Sequence, residues 1–77
     1  MPRVASLTNV AVFVYAGDHA PSHFHVLGPD TDAVIDIRSL RVTRGIYTRR
    51  DLAEAIAWAR KNRRLLLAKW RALNARG

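Results

Sequence analysis

Val10-Ala11-Val12-Phe13-Val14-Tyr15-Ala16-Gly17-Asp18-His19-Ala20-Pro21-Ser22-His23-Phe24-His25-Val26-Leu27 is the stretch on which the fold turns. Residues 10–15 are almost all β-branched or aromatic, which reads as a strand buried on both faces. Gly17-Asp18, with Pro21 close behind, breaks that strand into a loop. Residues 23–27 then alternate, so Phe24 and Val26 point one way and His23 and His25 the other. The picture is a loop-to-strand corner that carries three imidazoles and a carboxylate.

Outward from this corner the pattern stays β on both sides. Val4–Leu7 reads as a first strand, joined to 10–15 through a Thr8-Asn9 turn. Gly28-Pro29-Asp30 ends the strand at 23–27. Ala33–Ile37 is the next, with Val34 and Asp36 facing opposite to Ala33, Ile35 and Ile37. Leu40–Thr43 either extends it or adds an edge strand, and Gly45 ends that segment.

From Arg49 to about Asn74 the chain has neither Gly nor Pro, and the composition is helical. Thr48 is the expected N-cap, and Asp51 at the third helical position favours the positive helix end. Leu52, Ala55, Ile56, Ala59, Leu66, Leu67, Trp70 and Leu73 follow helical spacing and define one apolar face. Arg63 falls inside that stripe, while Trp58 and Leu65 leave from the other side. Either the helix kinks or restarts near Asn62, or Arg63 points inward and Trp58 meets a partner. The expected fold is α+β in a single domain over 1–77. It is a small antiparallel sheet of three to four strands packed against a C-terminal helical segment, residues 49–74, either one long helix or kinked near Asn62.

Composition limits what such a domain can do. With 77 residues and no cysteine, neither disulfides nor thiolate metal sites are available. No apolar run approaches the length of a membrane span, and Met1-Pro2-Arg3 lacks the apolar region of a signal peptide. A soluble cytoplasmic protein is expected. Charge is unevenly placed. Residues 1–37 hold one arginine against four aspartates, a net −3, while residues 38–77 hold twelve Lys/Arg against Asp51 and Glu54, a net +10. That asymmetry points to a polyanionic partner, nucleic acid first and an acidic protein second. Arg49, Arg60, Arg64 and Arg71 lie along one flank at helical spacing and are the candidate phosphate contacts. The bland reading of the same residues is a solvated basic face.

The three histidines of the chain all fall between residues 19 and 25. Histidine titrates near neutrality and is the commonest metal ligand, so two kinds of chemistry are open. His23 and His25 on one strand face, with His19 or Asp18 from the loop, could hold Zn²⁺ or Mn²⁺ with a position left for water. Without metal, two histidines supply the base and the acid that RNA cleavage at the 2′-hydroxyl requires. Asp18 would then orient an imidazole and Arg63 would stabilise charge at the phosphate. On a purely structural reading Asp18 caps its own turn, Pro21 stiffens the loop, and the imidazoles satisfy backbone groups. An arginine inside an apolar stripe needs an anion or equivalent partner, so Arg63 is expected to meet a carboxylate, carbonyl oxygens or the histidine loop.

The string Asp18-His19-x-Pro21-x-His23-x-His25-Val26 carries a resemblance. Together with Met1-Pro2, Val12-Phe13-Val14-Tyr15 and the tail Leu52…Asn62-Arg63…Leu66…Trp70, it resembles the bacterial family catalogued as domain of unknown function 4160. The resemblance covers nearly the whole chain. It implies a small stand-alone protein, often encoded beside another small protein (domain of unknown function 2442) in pairs of toxin–antitoxin type. It supplies no reaction. Two departures stand out: Ser22 replaces a second proline common in the family, and the helical segment is more basic than the acidic-leaning helices associated with it. The expectation is therefore a protein of toxin–antitoxin type acting on nucleic acid, RNA before DNA, and a ribonuclease if the histidine cluster is catalytic. The alternative is a non-catalytic module that binds nucleic acid or a small acidic protein, including a phage- or plasmid-borne inhibitor, with the histidines shaping a loop.

Overall fold

The computed structural model describes residues 3–74; Met1-Pro2 of the resemblance lies outside the described residues. Five strands come first: β1 (Arg3–Ser6), β2 (Ala11–Phe13), β3 (His23–Gly28), β4 (Thr31–Asp36) and β5 (Val42–Ile46). Two helices follow, α1 (Arg49–Lys61) and α2 (Arg63–Asn74). The strands pair in sequence order, each antiparallel to the next. The α+β class and antiparallel sheet are as expected, but there are five strands where three to four were anticipated. The segment at 40–43 is a separate strand, shifted to 42–46.

Gly45 accounts for that shift, since it sits inside β5 and does not end it. It pairs with Ala33 and adopts φ +110°, a region open essentially to glycine alone. A β-carbon there would run into the Asp32 carbonyl oxygen and come within 2.7 Å of the Ala33 α-carbon. Glycine lets β5 approach β4 closely, and the sequence shows only that a glycine is present.

One face of the sheet is dry. Val10, Val12, Val14, Phe24, Val26, Ile35 and Ile37 point into a single core that α1 and α2 complete with Ala55, Ala59 and Leu66. Removing so many aliphatic side chains from water is the main stabilising term in a domain this small. The stretch 10–15 is therefore buried on one face only: Ala11, Phe13 and Tyr15 are half-buried on the side away from the core. A run of β-branched and aromatic residues reads the same whether its second face is covered or open. The helices pack on the core face, and the C-terminal end of α2 reaches the rim of the other.

The helix boundaries follow local chemistry. The Thr48 side chain accepts the Asp51 N–H at 3.1 Å, as an N-cap should. Asp51 itself is buried, and Thr31 at the start of β4 donates to its carboxylate at 2.6 Å. Asn62 separates the helices. Its N–H donates to the Ala59 carbonyl, closing α1, while its own carbonyl accepts Leu66 N–H and opens α2. Its side-chain amide also donates to the Trp58 carbonyl at 2.8 Å. The segment is thus two helices, and the restart changes the phase of the apolar stripe. Trp58 is half-buried against the core; Leu73, expected on the apolar face, is 39% exposed. Glu54 on α1 ties the opposite end of the domain, accepting the backbone N–H groups of Thr8 and Asn9 at 3.2 and 2.9 Å. No helix among the described residues is long and apolar enough to cross a membrane.

The buried carboxylate makes a pH prediction. The hydrogen bond from Thr31 is the largest influence on Asp51, with help from Thr48 and Arg50, and outweighs burial to hold the group below its ordinary 3.8. A carboxyl lowered on folding contributes stability above its unfolded value, and that contribution is lost as pH falls through the folded value. Thr31→Val should raise the folded value, so acid unfolding should begin at higher pH. At neutral pH the variant should melt roughly 5 °C or more below wild type, because a buried acceptor loses its donor. Circular dichroism melts from pH 2 to 7 check both. Superimposable profiles would mean that Thr31 does not hold Asp51.

Candidate functional site

The site grows from the alternation of β3. Phe24 and Val26 are buried in the core, which forces His23 and His25 onto the other face, side by side, with ring centroids 5.3 Å apart. The loop from β2 returns over them, and its Ala20–Pro21 peptide is cis. Asp18 in that loop faces both rings. Its Oδ2 lies 3.1 Å from His23 Nε2 and 3.4 Å from His25 Nε2. His23 is held from its other side as well, by Nδ1 contacting the Pro21 carbonyl at 2.9 Å. One donor atom from each of Asp18, His23 and His25 lies within 4.8 Å of the others, a set able to hold a metal ion. The three side chains are 30%, 16% and 19% exposed, so solvent reaches them.

Two residues of α2 fasten the loop. The Asn74 side chain accepts Asp18 N–H at 2.9 Å and donates to the Tyr15 carbonyl at 3.0 Å, clasping both ends of the turn that presents Asp18. Trp70 packs on His23 at 4.9 Å between ring centroids. From there the rings run on without a gap. His25 meets Tyr15 edge-on at 4.6 Å, and Tyr15 stacks nearly parallel on Phe13 at 5.9 Å. Arg3 lies over Phe13 at 5.3 Å. Strand register extends this row across the sheet: Arg3, Phe13, His25, Val34 and Arg44 are successive partners. The open face therefore carries an aromatic strip with an arginine on each edge strand.

The sequence-derived candidates divide. Asp18, His23 and His25 come together. His19 does not join them: it is exposed, makes no hydrogen bond among the described residues, and lines an open depression of about 260 Å³ with Gly17, Asp18, Leu73 and Asn74. Of the two loop residues that could complete a metal set with His23 and His25, Asp18 does so and His19 does not, because the loop turns His19 outward. Arg63 is half-buried as expected, but its Nε donates to the Ile37 carbonyl at 3.1 Å and not to Asp18 or Asp36. As the first residue of α2 it braces the end of β4, and it does not stand at the carboxylate. Arg49, Arg60, Arg64 and Arg71 are all exposed, yet the break at Asn62 divides them between two helices. Arg64 and Arg71 belong to α2, the helix that touches the site.

Tyr15 and Trp70 lie in the strings that carry the resemblance but had no role assigned, and Asn74, Arg3 and Arg44 were not singled out as site residues. Trp70 sits on the apolar stripe, where core packing is the default reading. For Asn74 no local signal existed: its partners are 56 and 59 residues away. Ser22, at the proline position of the resemblance, is buried with its hydroxyl unpartnered among the described residues.

The family model described as "Domain of unknown function (DUF4160)" matches residues 10–71. That span holds Asp18, all three histidines and Trp70, and stops short of Asn74. No curated protein and no solved structure shows a significant match to the chain.

Proposed function

The chain belongs to this family, whose description assigns no activity, and we propose that it acts on RNA, cutting the phosphodiester backbone beside Asp18, His23 and His25. The observation that carries this reading is two imidazoles facing one carboxylate oxygen at the end of a partly exposed aromatic strip on the sheet face away from the core. Unpaired bases stack on aromatic side chains whatever their identity. Arg3 and Arg44 on the sheet, with Arg64 and Arg71 on α2, supply charge for the backbone. In this step the 2′-hydroxyl oxygen attacks phosphorus while an imidazole of the His23/His25 pair, oriented by Asp18, takes its proton, and His19 on the rim of the neighbouring depression gives a proton to the departing 5′ oxygen, leaving a 2′,3′-cyclic phosphate. A cutter of cellular RNA restrained by a protein encoded beside it is the toxin–antitoxin form of this activity.

Labelled single-stranded RNA tests the reading. His23→Ala and His25→Ala should each lower cleavage by about 100-fold or more, with RNA affinity kept within a few-fold. Changing Arg64 and Arg71 together to Gln should flatten the slope of log affinity against log salt by about one to two units, at about −0.7 per lost contact. RNA that is bound but never cut, with or without added Zn²⁺ or Mn²⁺, would leave a binding module. Absence of RNA binding at low salt would reject the proposal in favour of an acidic protein partner.

A further inference from the structure

We infer that Asp18, His23 and His25 form a site for one divalent transition-metal ion, with zinc the best match. The inference starts from the proton on His23. The Pro21 carbonyl, 2.9 Å from Nδ1, can only accept, so Nδ1 carries a hydrogen. A neutral ring with its hydrogen on Nδ1 presents a bare lone pair at Nε2. That lone pair faces Asp18 Oδ2 at 3.1 Å, and a carboxylate oxygen has lone pairs only. Two acceptors keep such a contact only when a positive charge lies between or beside them. His25 Nε2 faces the same oxygen at 3.4 Å, so three potential ligand atoms converge on one point. One cation bound to all three atoms satisfies the whole group.

The distances suit that cation. Nitrogen and oxygen ligands about 2.0–2.2 Å from a tetrahedral zinc ion lie about 3.4 Å from one another. The two Nε2–Oδ2 separations, 3.1 and 3.4 Å, already have this length, and all three atoms lie within 4.8 Å. Two imidazoles and one carboxylate suit zinc better than magnesium or calcium, which prefer oxygen alone. The Pro21 carbonyl on the far nitrogen of His23 is the outer partner that metal-binding histidines generally have, fixing tautomer and ring direction. Three protein ligands leave a fourth position, and the partial exposure of the group leaves it reachable from solvent. His19 is not a ligand in this arrangement.

The inference rests on side-chain geometry and stands or falls without RNA. Untagged protein, stripped with chelator, is titrated with Zn²⁺ in a calorimeter, and with Co²⁺ followed by visible absorption. One ion per chain should bind, with a melting-temperature rise of about 10 °C or more at 100-fold excess over Kd. Asp18→Ala, His23→Ala and His25→Ala should each weaken binding by about 100-fold or more, with imidazole-ligand absorption lost in the histidine variants. His19→Ala should bind within a few-fold of wild type. Should an alanine variant fail to fold, as judged by metal-free circular dichroism, His23→Gln replaces it with the same expectation. Saturation absent up to millimolar Zn²⁺, undiminished binding in His23→Ala, or loss of binding in His19→Ala would each overturn the assignment. RNA cleavage without metal binding would leave the proposed activity in place and remove only the ion.

Discussion

Gly45→Ala is expected to leave little folded protein at 37 °C. Two costs combine at this position. The backbone conformation, φ +110°, costs a residue with a β-carbon about 1–3 kcal/mol. The new methyl would also strike the backbone of Asp32 and Ala33, which cannot yield as a flexible side-chain tip would. Relief requires β5 to part from β4. The total is expected to reach about 4 kcal/mol, a rare size for one substitution. Small domains hold about 0.05–0.15 kcal/mol per residue, so this is a large share of the whole stability. Gly17→Ala is the control: it too has positive φ, +80°, but no atom lies within 4 Å of the added carbon. It should cost about 1 kcal/mol, the backbone term alone. Urea unfolding of both variants measures the difference. If Gly45→Ala unfolds within a few tenths molar of wild type, β5 does not pair with β4 as described.

Asp18→Asn should lower the proposed RNA cleavage by about 100-fold while leaving the fold intact. The amide has the shape of the carboxylate, and the backbone N–H that Asn74 holds is unchanged. What disappears is the negative charge that both imidazoles face at 3.1 and 3.4 Å. RNA affinity should hold or rise slightly, because one charge that repels phosphate is gone. Split effects of this kind, rate down and affinity not, distinguish a residue at the reacting phosphate from one that shapes the loop. Parallel losses in rate, affinity and melting temperature would assign Asp18 a structural role.

Local rules made part of this molecule legible. The two-residue spacing of His23 and His25 placed them on one face, Thr48 announced its cap, and the trouble at Arg63 marked the break at Asn62. What stayed hidden depends on distant partners or on geometry that composition does not carry. Arg63 had to find a polar partner, but nothing local named the Ile37 carbonyl. Gly45 looked like a terminator because glycine serves both chain breaks and close backbone approaches. Of the site, the histidine pair was readable. Asp18 beside the imidazoles was one of two readings the loop left open; the outward turn of His19 and the clasp of Asn74 were not readable, since both depend on how the loop meets a helix that begins more than forty residues later.

That clasp has a consequence for when the Asp18 group is assembled. Strands β1 to β5 contain both histidines of the Asp18 group, and they leave the ribosome first. Asp18 is then still unclamped, because Asn74, which receives its N–H and anchors Tyr15, has yet to be made. Trp70, the wall behind His23, is equally late. The Asp18–His23–His25 group is therefore complete only once the last turn of α2 is in place, and any chain that stops short of Asn74 lacks the hold on its aspartate.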